Sequence, residues 1–306
     1  MVPRSGTPYS IRSGASRAEI SGTGATLREL YLDGSEVLDG FAADVVAPGG
    51  AGQVLAPWPN RLEDGTYAFE GTNAVAALNE PERKNAIHGL VRWSQWSPVA
   101  AQPDAVSLET VIVPHPAYPW RLRLEITYRI GLRSLEVSFA ASNEDDRPVP
   151  FAIGFHPYFL AAGGDVDAAS VSVRVAEHLV LDGRALPTGT EPVAGGPYAP
   201  LSEPGGLALA GRTLDDCFTG LDRGADGTAS AVYLPGAGSR AVNLILGPAF
   251  THLMCFTGDT LAPPRRRRAM AFEPMTCAPN ALHTGEGITS IPSGGSARGS
   301  FEISIG

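Results

Sequence analysis

The sequence lacks the marks of several protein classes. Its three cysteines, Cys217, Cys255 and Cys277, are widely spaced with no C-x-x-C pair, which fits reduced thiols rather than a disulfide or zinc framework. A basic excess is missing: Lys and Arg total 23 against 32 Asp and Glu, a formal net charge of -9, so the footprint of nucleic-acid or anionic-membrane binding is absent. No apolar run approaches a membrane span. Residues 1–14 hold no apolar segment ending in a small-residue cleavage site, which predicts no export signal and a soluble, cytoplasmic protein. Nothing long repeats with helical period, which disfavours βαβ units.

What is present is period two. Between residues 121 and 142, Leu122, Leu124, Ile126, Tyr128 and Ile130 alternate with Arg121, Arg123, Glu125, Thr127 and Arg129. After a short break Leu135, Val137, Phe139 and Ala141 resume the pattern, which predicts a β-hairpin with one buried face. Shorter apolar or alternating stretches at 106–113, 171–175, 242–246, 253–256 and 301–305 are separated by punctuation drawn from 36 glycines and 26 prolines. This predicts an antiparallel all-β sandwich forming a single domain over 1–306, with residues 183–206 as a long loop. Gly22-Thr23-Gly24 is read as a turn between two N-terminal strands, because Leu27 breaks the dinucleotide-binding glycine pattern. Arg265, Arg266, Arg267 and Arg268 could clamp an anion, but clustered like charges belong more often to an exposed loop.

Five islands carry polar and aromatic groups that strands and turns do not need: 57–61 (Pro-Trp-Pro-Asn-Arg), 85–89 (Asn-Ala-Ile-His-Gly), 154–159 (Gly-Phe-His-Pro-Tyr-Phe), 214–218 (Leu-Asp-Asp-Cys-Phe) and 272–276 (Phe-Glu-Pro-Met-Thr). Amides, a guanidinium, imidazoles and carboxylates can hydrogen-bond a ring of hydroxyls, and aromatic faces can pack on a sugar. Each island also has a plain reading. His88 and His156 could be core histidines bonded to backbone, Asn60-Arg61 a turn with a surface ion pair, and Asp215-Asp216 a loop or helix cap. Glu273 lies in an apolar stretch, where a carboxylate is either paired or functional.

The order and wording of the islands together resemble the aldose 1-epimerase family from about Leu55 to Ala281. Asn60-Arg61 with the following Asp64-Gly65, the His88-Gly89 pair, and Tyr118-Pro119 ahead of the hairpin are similar to that family's elements. The resemblance implies a galactose mutarotase-like sandwich and carries the family's general acid to His156, its base to Glu273 and its substrate-binding Asp to Asp215 rather than Asp216. Asn60, Arg61 and His88 follow as substrate-binding residues. One departure is Phe155, where the commonest wording has Asn before the histidine; it weakens galactose itself as the expected substrate. The branch resembled includes enzymes of hexoses, hexose 6-phosphates and a sulfonated glucose, and Arg83, Arg92 or the arginine run could contact such an anion.

Anomer exchange needs a proton removed from the C1 hydroxyl and one delivered to the ring oxygen. At reference values Glu273 is an ionised base and His156 a proton-bearing acid, approaching the sugar from opposite sides. That chemistry requires no metal or organic cofactor. The expected partner is a small aldose, without nucleic acid or membrane, for a monomer or weak homodimer. The alternatives are a non-catalytic sugar-binding or regulatory protein, or a carbohydrate-cleaving enzyme using Glu273 with Asp215.

Overall fold

The computed structural model describes residues 3–306. Two large antiparallel sheets dominate it. The nine-stranded sheet runs, in spatial order, Ser97–Gln102, Ala105–Ile112, Leu122–Ile130, Ser134–Asn143, Ser296–Ile305, Val242–Leu246, Ala229–Leu234, Ser170–Val173 and Leu207–Ala208. The eight-stranded sheet runs Pro187–Pro192, Val175–Leu181, Asp215–Leu221, His252–Phe256 and Ala269–Met275. Gly154–Phe155 and Tyr158–Leu160 then share the far side of 269–275, and Val54–Leu55 closes the edge. A four-stranded N-terminal sheet, Pro8–Ser13 to Ser35–Glu36, packs against the 105–112 and 122–130 strands.

The hairpin forms as the alternation predicts. Leu122 pairs with Asn143 and Ile130 with Leu135, and every second residue of Leu122–Ile130 is buried. The two large sheets meet across an aromatic seam: Phe155 packs 4.9 Å from Phe301 and 6.1 Å from Phe250, while Phe159 lies 6.0 Å from Tyr233 and 6.4 Å from Phe272, ring centre to ring centre. Burial of such rings contributes about 1.5–3 kcal/mol each. The seam fixes which face of the eight-stranded sheet is left for other work.

Two expectations need correction. Residues 183–206 are not simply a loop, because Pro187–Pro192 pairs with Val175–Leu181 as an edge strand. Prolines at both ends and near-complete exposure hid it, since an edge strand needs neither a buried face nor every N–H. Asp215 and Asp216 lie in neither a loop nor a helix cap but in the Asp215–Leu221 strand.

Candidate active site

The site begins with strand register. Glu273 sits in the fully buried Ala269–Met275 strand, where Met270 and Phe272 face the core and Ala271 and Glu273 face the other way. On one side Glu273 pairs with Met254. On the other, Gly154 opposite Met275 and Tyr158 opposite Ala271 set a register that puts His156 directly across from Glu273. Pro157 interrupts the ladder between them, having no N–H to give. The result is a floor of two rows, Cys217, Met254, Glu273 and His156 beside Asp215, Phe256, Ala271 and Tyr158. His156 Nε2 lies 3.4 Å from Glu273 Oε1, and the Tyr158 ring stacks on the imidazole at 4.9 Å.

The walls come from the N-terminal half. Asn60 adopts a left-handed backbone, and its Oδ1 accepts the Arg61 N–H at 2.9 Å. The Asn60 carbonyl accepts the N–H of His88 at 2.8 Å, so the two motifs are tied together. Gly89 is required there: its φ is +64° and a Cβ would stand 2.1 Å from the Ala56 carbonyl oxygen. That turn delivers His88 against His156, edge to face with ring centres 5.3 Å apart. Gly50 covers the His156 ring from the opposite loop, and a Cβ there would lie 3.1 Å from Cδ2.

Together these residues enclose a cavity of about 480 Å³, lined by Asn60, Arg61, His88, His156, Asp215 and Glu273, all six of the residues singled out in the sequence. A groove of about 550 Å³ on the outer face of the nine-stranded sheet is larger, but none of its acidic or basic side chains is buried. Inside the cavity three buried polar atoms, His88 Nδ1, His156 Nδ1 and Glu273 Oε2, have no hydrogen-bond partner within the protein. Native structures leave few such atoms alone, and three on residues that line one cavity mark it as the candidate ligand site. Among the described residues, no three His, Cys, Asp or Glu side chains converge as a metal site would need.

Burial inverts the protonation that reference values imply. It pushes His156 down to about 3, with Arg92 acting in the same direction, and pushes Glu273 well above the usual carboxylate range, aided by Asp215. His88 is held well below the ordinary imidazole value by burial, then by His156, Arg92 and Arg61. Asp215 is raised, again chiefly by burial and against the pull of Arg61. Burial thus biases the dyad toward a carboxylic acid beside a neutral imidazole. Nor do the two groups face each other across a sugar; they stand side by side on one floor.

A sequence model of the aldose 1-epimerase family matches residues 8–304. The chain belongs to that family. A relative, the uncharacterized protein YihR of Escherichia coli (strain K12), is 27% identical over 300 residues, spanning 98% of this chain and 93% of its own. Among solved structures, a galactose mutarotase-like protein from Clostridium acetobutylicum superposes with a TM-score of 0.84 at 18% identity, covering 97% of this chain and 94% of that one. A GalM/aldose epimerase homologue from C. elegans gives 0.84 at 16% identity, with 98% of each chain covered. At these identities the structural likeness speaks for the fold, which is the galactose mutarotase-like sandwich.

Several family-motif residues do other work. Phe155, adjacent to His156, points to the opposite face and is packed in the aromatic seam, so its departure from the common wording does not bear on the sugar by contact. Trp58, Tyr118 and Trp120 are core residues, the Tyr118 hydroxyl donating to the Pro150 carbonyl at 2.8 Å. Asp216 accepts from Tyr198 at 2.8 Å and does not line the cavity, whereas Asp215 does. Three of the four arginines in the run are occupied: Arg265 and Arg268 both bind Asp39, at 2.7 and 2.8 Å, and Arg267 binds Asp259 and Asp167. The sequence missed Glu80, Trp93 and Tyr158 as cavity residues; the position of Tyr158, two after His156 on a strand, was the available signal.

Proposed function

We propose that this protein is a soluble, cytoplasmic aldose 1-epimerase, its whole chain working as one domain, that interconverts the α and β anomers of an aldohexose. The observation that carries the proposal is a buried acid–base pair 3.4 Å apart, with unpartnered polar atoms, in a sugar-sized cavity. The hydroxyl on C1 and the ring oxygen are bonded to the same carbon, so two side-by-side groups can serve both. In the closed-ring complex Glu273 is the carboxylate and His156 the imidazolium, the sugar hydroxyls supplying the hydrogen bonds that favour charge. Glu273 takes the C1 hydroxyl proton, His156 gives its proton to the ring oxygen, the C1–O5 bond breaks and the C1 carbonyl forms. The dyad is then the neutral pair that burial favours, so the site stabilises the open-chain state. Rotation about C1–C2 and the reverse transfers close the ring on either face.

Arg61, His88, Asn60 and Asp215 orient the hydroxyls. A binding or regulatory protein would not need Glu273 and His156 as a buried couple. Glu273→Gln and His156→Asn are each expected to slow anomer exchange by at least about a hundredfold, read by polarimetry on a freshly dissolved pure anomer. Near wild-type rates in both would remove the assignments.

A second reading concerns the sugar. Arg92 lines the cavity beside Trp93, its Cζ 5.1 Å from the indole, and among the described residues no carboxylate pairs with it. A half-buried guanidinium without a counter-ion supports a phosphorylated or sulfonated hexose as substrate. Exchange spectroscopy by NMR across neutral, phosphorylated and sulfonated aldoses tests this; an Arg92→Met loss equal for all three would remove it.

A further inference from the structure

Arg61 lies between two carboxylates and is bonded to only one. Its Nε donates to Glu80 Oε2 at 3.0 Å and its Nη2 to Glu80 Oε1 at 3.1 Å, a two-pronged pair with both residues largely buried. Its Nη2 stands 3.9 Å from Asp215 Oδ2, beyond hydrogen-bond reach. Glu80 is itself fixed. Asn85 Nδ2 donates to its Oε2 at 3.0 Å and also to the Arg184 carbonyl, while Arg184 is anchored on Glu63 and Asp64.

We propose that Glu80 is a positioning residue that holds Arg61 off Asp215, leaving the oxygens of Asp215 and the outer N–H groups of Arg61 free to bind sugar hydroxyls. The geometry supplies the reason. A guanidinium that paired with Asp215 would fill the acceptors that this carboxylate otherwise offers, and Asp215, with its side chain 40% exposed, is the more open of the two carboxylates. Glu80 offers a prebuilt, fork-matched alternative with its remaining lone pairs already satisfied by Asn85 and Arg83. The use to which the free groups are put rests on the mutarotase reading above; the arrangement of charges does not.

Glu80→Gln tests it by kinetics and by titration. KM is expected to rise about tenfold with kcat changed less than about threefold, the split that loss of ground-state binding gives. The Asp215 carboxyl, followed by carbon NMR without any sugar, faces Arg61, Arg83, Asp216, Glu80 and Glu273. In Glu80→Gln it should titrate at least about one pH unit lower, because Arg61 swings onto it. Loss of the Glu80 charge alone would also lower it a little, so the same change is made in an Arg61→Gln background, where no buried cation is stranded and folding is spared. There the shift should nearly vanish, and KM should change less than about twofold. An equal Asp215 shift with and without Arg61, or an unchanged KM in Glu80→Gln, would overturn the proposal. Wild-type protein that exchanges no aldose, with the titrations as expected, would instead remove the mutarotase reading and leave the charge arrangement standing.

Discussion

Phe155 and His156 are neighbours in the chain and belong to different halves of the molecule, one packed between the two sheets and the other on the cavity floor. Restoring the commoner wording with Phe155→Asn should therefore damage the fold and spare the choice of sugar. The loss is expected at roughly 3–5 kcal/mol, from the deleted ring and the unpaired amide left among Phe250 and Phe301. Urea denaturation measures it. The ratio of glucose to galactose exchange rates should stay constant, and a changed ratio would return residue 155 to the site.

The pH dependence of kcat/KM follows from the dyad holding one proton in its working state. His156 gains a second proton for the pair only near about 3, because burial holds it there. Activity should thus stay level as pH falls through about 6.5, where an ordinary imidazole would titrate. On the alkaline side activity is lost once Glu273 gives up the shared proton, above the usual carboxylate range. An acid limb centred between about 6 and 7 would contradict this account.

The same depressed imidazole makes stability pH-dependent. Below about 6.5 the unfolded chain protonates residue 156, while the folded protein leaves it neutral down to about 3. The unfolded state binds more protons in that window, so stability rises with pH across it and is lost as pH falls. His156→Asn removes one such proton. Its stability, measured by urea denaturation between about pH 4 and 6, should be less steep by up to about 1.4 kcal/mol per pH unit. Equal slopes for the two proteins would show an imidazole titrating normally.

Gly89→Ala forces a Cβ against the Ala56 carbonyl in a left-handed turn. A cost of about 1–3 kcal/mol is expected, together with a raised KM as His88 is displaced. Thermal unfolding and exchange kinetics on one sample check both; an unshifted Tm would mean the turn has room that the backbone geometry denies.

Much of this was legible where local pattern and tertiary fold agree. The 122–130 and 134–143 strands follow from alternation alone, and Val242–Leu246 begins and ends where its apolar run does. The six residues that share the cavity were singled out through motif wording, which composition could not have supplied. The rest depended on contacts distant in sequence. Glu80 reads as surface charge among Asn79, Pro81, Glu82, Arg83 and Lys84, and is half-buried where Arg61 and Asn85 close on it. The protonation of the dyad escaped for a similar reason, since reference values carry no knowledge of burial.

Glu273 rises from the buried Ala269–Met275 strand and His156 from the buried two-residue break between Gly154–Phe155 and Tyr158–Leu160 beside it, whereas Gly49, Asn79, Arg83, Trp93 and Leu261 at the rim belong to connecting segments. On the mutarotase reading, the reaction and the admission of a molecule to it fall to different parts of the chain, one buried and one at the surface. Exchange of rim segments between relatives should yield a repertoire of catalysts that share one chemistry and differ in the guest they accept.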